Sequence, residues 1–231
     1  MFKPSSLLIA LSAIIAAGQV NAASIDFRHE YKGKSEQHSS RVKINESIGD
    51  LYFSGELKFK GADGKFMEDL QNNGWEFDWG YRFRLNDNWT LQPGMPIEGR
   101  SSGMTYKPQV RLTYAFDSVE GLTLSGRYRH DFKTYSNGDS TDKRHRITGN
   151  VGYKINQWQF GLEMNYYKAE GYELYDGKDT NYENNISIRY RPGAWSPYVE
   201  FGDVNFNRTD ASGNNNDTRE LRSRVGITYS F

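Results

Sequence analysis

The stretch Trp75-Glu76-Phe77-Asp78-Trp79-Gly80-Tyr81-Arg82-Phe83-Arg84-Leu85 puts a large apolar side chain at every second position. A β-strand sends successive side chains to opposite faces. The segment therefore carries one apolar face, from Trp75 to Leu85, and one face of Glu76, Asp78, Gly80, Arg82 and Arg84. On a helix the same apolar residues would step about 200° apart and cover the whole circumference, so the helical reading fails. The length matches what a tilted strand needs to cross a bilayer, about 9–11 residues.

The pattern repeats along the chain. Alternating segments run near Ser24–Tyr31, Ser40–Glu46, Leu51–Lys60, Gly74–Leu85, Trp89–Met95 and Thr105–Phe116, then Leu122–Lys133, Arg144–Ile155, Trp158–Lys168, Tyr182–Arg191, Pro197–Asn205 and Arg219–Phe231. The linkers between them alternate short and long, with the long ones at 33–39, 61–73, 96–104, 134–143, 169–181 and 206–218. Tight turns at one end and longer loops at the other are the pattern of an outer-membrane barrel. The fold class expected is all-β: a 12-stranded antiparallel transmembrane β-barrel with both termini periplasmic. A soluble sandwich shares the period of two, but its linkers need not alternate and its core rarely sets tryptophans opposite a fully polar face. In the eleventh segment Val199 and Phe201 fall out of step with Val204 and Phe206, which a bulge would explain.

Composition agrees with a barrel. Mean hydropathy is −0.80, which looks soluble, yet 15% of residues are aromatic. A barrel reconciles the two, because only alternate residues face lipid. The 231 residues carry no cysteine and a formal charge of zero, so there is no disulfide framework and no general pull toward nucleic acid. Lys3, the apolar run Leu7–Ala17 and Val20-Asn21-Ala22 read as a secretory signal peptide over residues 1–22, cleaved near Ala22. Residues 23–231 are then the barrel. Trp75, Trp89, Tyr106, Trp158, Tyr166, Tyr182 and Tyr229 lie toward strand ends and suit the interfacial girdles.

If the apolar parity faces lipid, the other faces a lumen. Sorted so, about twice as many cations as acids point inward, and the remaining acids, such as Asp139, Asp142, Glu170, Asp176, Asp179 and Asp210, fall in loops. The candidate anion-binding wall is Arg41, Lys43, Arg82, Arg84, Arg111, Arg127, Arg129, Arg144, Arg146, Arg189, Arg222 and Arg224. Guanidinium forks bind both carboxylate oxygens and stay charged, and conduction needs several weak sites rather than one tight one. The competing reading pairs these arginines with inward acids into structural networks. No catalytic set is expected: three of His29, His38, His130 and His145 take the lipid parity, but no His-x-Ser-Asn-Gly stretch accompanies them. No ligand spacing for a metal is apparent, and no cofactor is expected.

Ser-Ile-Asp-Phe-Arg-His-Glu-Tyr at 24–31, Leu-Gln-Pro-Gly at 91–94, Arg-Tyr-Arg at 127–129, Ile-Thr-Gly-Asn-Val-Gly-Tyr at 147–153, Pro-Tyr-Val-Glu-Phe-Gly at 197–202 and Arg-Val-Gly-Ile-Thr-Tyr-Ser-Phe at 224–231 occur in this order. Together they resemble the KdgM-type outer-membrane porins, channels specific for oligogalacturonates. The resemblance implies a monomer in outer-membrane lipid whose narrow pore passes acidic oligosaccharides along basic side chains. It also implies that the terminal Phe231 is read by the barrel-assembly machinery. A sialic-acid (N-acetylneuraminate) channel is a branch of the same family and is the alternative substrate reading.

Overall fold

The computed structural model describes residues 23–62, 65–138, 140–207 and 217–231; the expected signal at 1–22 and the loop acids Asp139 and Asp210 lie outside them. The chain forms one closed antiparallel barrel. Its strands are β1 (Ser24–Lys32), β2 (Gln37–Ile48), β3 (Leu51–Lys60), β4 (Gln71–Tyr81, continued by Phe83–Arg84), β5 (Trp89–Gly94, continued by Ile97–Arg100) and β6 (Gly103–Tyr106, continued by Gln109–Ala115). They are followed by β7 (Leu122–Tyr135), β8 (Thr141–Ile155), β9 (Trp158–Glu170), β10 (Thr180–Tyr190), β11 (Trp195–Phe206) and β12 (Thr218–Ser230).

The interruptions in β5 and β6 fall at Pro96 and Pro108, which have no N–H to give to a ladder. The register nonetheless runs unbroken through them, with Gly80 opposite Gly94 and Phe77 opposite Ile97, and with Arg129 opposite Gln109 and Phe132 opposite Tyr106. Each is therefore one strand. Closure joins β12 to β1, where Ser24 lies opposite Ser230. Ala23 and Phe231 thus share one rim, called here the terminal rim; the other is the loop rim.

The barrel is polar inside and apolar outside. Among the described residues the buried apolar side chains are only Ala23, Tyr167, Ala169, Tyr198 and Val204, whereas buried polar ones include Asp26, Glu56, Glu98, Lys107, Asp131 and Arg222. All of Trp75, Trp79, Trp89, Trp158 and Trp195 are exposed on the outer face. Such a surface is stable only where the surrounding solvent is itself apolar.

The structure corrects three expectations. The long linker 96–104 is mostly strand: Ile97–Arg100 and Gly103–Tyr106 pair across a two-residue turn at 101–102. The short–long alternation fails there, and Pro96 is what hid the strand. Asp142 and Glu170, expected in loops, lie within β8 and at the end of β9. The eleventh strand has no bulge, since its register with β12 is continuous from Trp195 to Phe206. Val204 simply points inward and is 1% exposed. The shift lies instead between β3 and β4, where Lys58 faces Gly74 and Phe59 faces Asn72, leaving Asn73 as the extra residue. Gly74 takes φ +112°, a conformation that L side chains rarely adopt.

Candidate functional site

Inward side chains on neighbouring strands stand level with one another, so the register decides which charges meet. Glu56, Glu76 and Glu98 form a row across β3, β4 and β5. Three carboxylates side by side would repel, and cations on the same and neighbouring strands offset this. Lys107 Nζ lies 2.6 Å from both Glu76 and Glu98. Lys58 Nζ lies 3.3 Å from Glu76 and 3.0 Å from Glu98, and Arg100 Nε is 2.7 Å from Glu98. Arg41 carries the network onward, at 2.9 Å from Glu56 and 3.1 Å from Asp26.

Two further networks continue round the wall. Arg224 bridges Glu30, at 2.6 Å, and Glu200, while Arg222 lies 3.7 Å from Glu183. Asp131 is held at 2.7 Å by both Arg129 and Arg144. Arg146 donates to Asn165 Oδ1 and sits 3.6 Å from Glu163. Of the twelve cations proposed from sequence, Arg41, Arg129, Arg144, Arg146, Arg222 and Arg224 are thus tied to wall carboxylates. Arg84 belongs to the terminal rim: its side chain is 77% exposed and pairs with Asp50 at 3.4 Å.

The remaining five, Lys43, Arg82, Arg111, Arg127 and Arg189, form no salt bridge among the described residues. Arg28, on the inward parity of β1 but outside the proposed wall, joins them. Arg111 and Arg127 stand directly opposite on β6 and β7. With Arg82, Tyr52, Asp78, Gln92 and Gln109 they line a cavity of about 220 Å³. Arg127 Nη2 donates to Thr148 Oγ1 at 3.3 Å, and its Nε is buried without a partner. Arg82 lies over the Tyr52 ring, and Lys43 lines an adjoining cavity with Tyr52, Asp78 and Arg82.

On the other side Arg28 and Arg41 line two cavities. One, about 350 Å³, reaches Lys32, Gln37 and Arg100 toward the loop rim. The other, about 270 Å³, reaches Gln159, Arg189 and Arg191 toward the terminal rim. Arg189 is set over the Tyr198 ring at 4.1 Å and donates to Thr228 Oγ1 at 2.6 Å. In a ring of twelve strands Arg28 on β1 is six strands from Arg127 on β7, and Arg189 on β10 is six from Arg82 on β4. Two sets of arginines that form no salt bridge among the described residues therefore face each other across the lumen.

The outer face holds one serine–histidine contact. His29 Nδ1 lies 2.9 Å from Ser40 Oγ, and His29 Nε2 lies 2.9 Å from His38 Nδ1. Ser40 is buried beside Met67 Sδ and sits inside the β1–β2 and β2–β3 ladders.

Comparison with known proteins places this architecture. The family described as oligogalacturonate-specific porin protein (KdgM) matches residues 16–231. The chain is 34% identical to the uncharacterized protein YiiY of Salmonella typhimurium, covering 98% of this chain and 97% of that one. It is 30% identical to the oligogalacturonate-specific porin KdgM of Dickeya dadantii, covering 99% and 100%. To the N-acetylneuraminic acid outer membrane channel protein NanC of Escherichia coli it is 28% identical, covering 91% of each. A solved KdgM porin in complex with disordered oligogalacturonate superimposes with a TM-score of 0.67 at 27% identity, covering 90% of this chain and 99% of that one.

Proposed function

The chain belongs to the KdgM family of outer-membrane porins, and from that premise we propose that it is a passive channel for acidic oligosaccharides, with oligogalacturonates the substrate class. The observation that carries this reading is the sorting of cations within the wall. Most form salt bridges with wall carboxylates, but among the described residues Arg28 and Arg189 on one side and Arg82, Arg111 and Arg127 on the other form none. Arg111 and Arg127 stand opposite each other as like charges, which is unfavourable, and Asp78, the one acid lining their cavity, forms no salt bridge with either, so an entering anion is favoured there. A flexible polyanion whose carboxylates recur along its length can pass from one such group to the next. No single site need then hold it tightly.

In this reading the mature chain begins after Ala22 and sits in outer-membrane lipid as a monomer. The terminal rim is periplasmic, the loop rim faces outward, and Phe231 serves as the signal read by the barrel-assembly machinery. Insertion of the purified barrel into a planar bilayer under a salt gradient tests the channel. The expected reversal potential reports anion preference; cation preference or an absence of conductance would overturn the reading. Growth of a host lacking general porins on oligogalacturonate or on N-acetylneuraminate then decides the sugar. Support of growth on N-acetylneuraminate alone would move the chain to the sialic-acid branch.

A further inference from the structure

Three side chains that no sequence spacing connects meet on the outer face near the loop rim: His130 on β7, His145 on β8 and Glu170 at the end of β9. His130 and His145 are directly opposed in the β7–β8 ladder. Glu170 is opposite Lys143, and so lies diagonally beside His145. The two imidazoles stack with centroids 4.2 Å apart and 20° between planes. His145 Nε2 is 2.8 Å and His130 Nε2 3.2 Å from the same oxygen, Glu170 Oε1. The donor atoms of all three lie within 4.8 Å of one another. His130 Nε2 is buried and completes no hydrogen bond.

We propose that His130, His145 and Glu170 form a binding site for a divalent transition-metal ion of the zinc class. Two imidazole nitrogens and one carboxylate oxygen are donors that zinc accepts at about 2.0–2.2 Å, with a fourth, open position for water. Calcium and magnesium prefer all-oxygen shells. The second shell is also in place, because Tyr128 Oη lies 2.7 Å from His145 Nδ1. With Nδ1–H donating to the tyrosine oxygen, the Nε2 lone pair is free for the metal. The bound ion would pin three consecutive strands just where they lead into the connections at 136–140 and 171–179. Lys143 and Lys168 stand beside the site, and Lys168 is already held by Asp179 at 2.9 Å, so one cation remains to be outweighed. The site lies outside the lumen and is independent of what the channel carries.

The test uses the untagged mature barrel, refolded in detergent, equilibrated with zinc sulfate, desalted and assayed by mass spectrometry for bound metal. One equivalent of zinc is expected. It should be lost in His130→Ala/His145→Ala and kept in His29→Ala/His38→Ala, which removes the other histidine pair. Glu170→Gln and Tyr128→Phe should each weaken zinc binding about tenfold or more by titration. Heat-modifiable gel migration shows that each variant is folded. Absence of zinc from the parent barrel overturns the proposal. So does retention of the equivalent by His130→Ala/His145→Ala, or its loss in His29→Ala/His38→Ala.

Discussion

Arg28 and Arg41 stand directly opposite each other on β1 and β2, yet only Arg41 is held by carboxylates, Asp26 at 3.1 Å and Glu56 at 2.9 Å. The two guanidiniums share both cavities on that side of the lumen but differ in what they are available to do. Arg41 completes a network across the wall. Arg28 forms no salt bridge among the described residues and faces both cavities, where Glu30 and Glu200 are the acids nearby.

That difference gives opposite expectations for the two alanine variants. Arg28→Ala should fold and lower the anion-to-cation permeability ratio by about two- to fivefold, the factor expected when one charge worth about 0.5–1 kcal/mol is removed from a wet pore. Arg41→Ala leaves Asp26 and Glu56 buried without that partner, and breaking such a pair costs about 3–5 kcal/mol. It should show a lower urea midpoint, followed by tryptophan fluorescence in vesicles. Equal stability of the two variants would contradict the division of roles.

On β7 the same distinction separates neighbours two residues apart. Arg127 forms no salt bridge among the described residues and faces Arg111, whereas Arg129 lies 2.7 Å from Asp131 and is almost fully buried. Arg111→Glu/Arg127→Glu should move the reversal potential toward cation preference in a barrel that still inserts. Arg129→Gln should mainly reduce stability and leave the potential near that of the parent. An unchanged potential in the double variant would mean that these side chains do not line the ion path.

Alternation along a strand is a local property, and it was legible in the sequence: Leu51–Lys60 is a strand with the bounds the periodicity gives. Which charges meet across strands depends on register, and no local pattern encodes it. Parity alone put Arg129 and Arg127 in one class, although Asp131 neutralises only the first. Glu98 was hidden because Pro96 broke the alternation around it, so the acidic row lost a member and the wall looked more cationic than it is. Val204 looked like a slip only because an apolar residue inside a polar lumen is unexpected. His130, His145 and Glu170 are joined by pairing between β7, β8 and β9, which spacing cannot display.

The acidic row makes Lys107 the least replaceable cation of the wall. Its ammonium lies 2.6 Å from both Glu76 and Glu98, and its side chain is 6% exposed. Lys107→Met leaves those carboxylates to Lys58 and Arg100, and a loss of about 3–5 kcal/mol is expected by the cost of unpairing a buried charge. Lys107→Met/Glu98→Gln removes one acid together with the lysine and should recover part of that loss. Urea unfolding of the two variants beside the parent measures the difference. If the double variant is no more stable than the single one, the row is not the reason Lys107 matters.

Gly226 and Tyr198 provide a test of how the wall seats the side chains beneath Arg189. A Cβ added at Gly226 would come within 2.3 Å of the Tyr198 ring, so the glycine leaves the notch in which the ring lies. Seated there, Tyr198 Oη donates to Asp26 at 3.0 Å, and the ring supports the Arg189 guanidinium 4.1 Å above it. Gly226→Val should expel the ring into the lumen, cost about 1–3 kcal/mol as overpacking of a filled site, and lower single-channel conductance by obstructing the cavity that Arg28 and Arg189 share. Tyr198→Phe keeps the ring in its notch and removes only the hydroxyl. It should cost about 0.5–1.5 kcal/mol for the lost hydrogen bond and leave conductance near the parent value. The contrast separates the position of the ring from its hydrogen bond. If Tyr198→Phe lowered conductance as much as Gly226→Val, the contact with Asp26, rather than the seat on Gly226, would be what keeps that side of the lumen open.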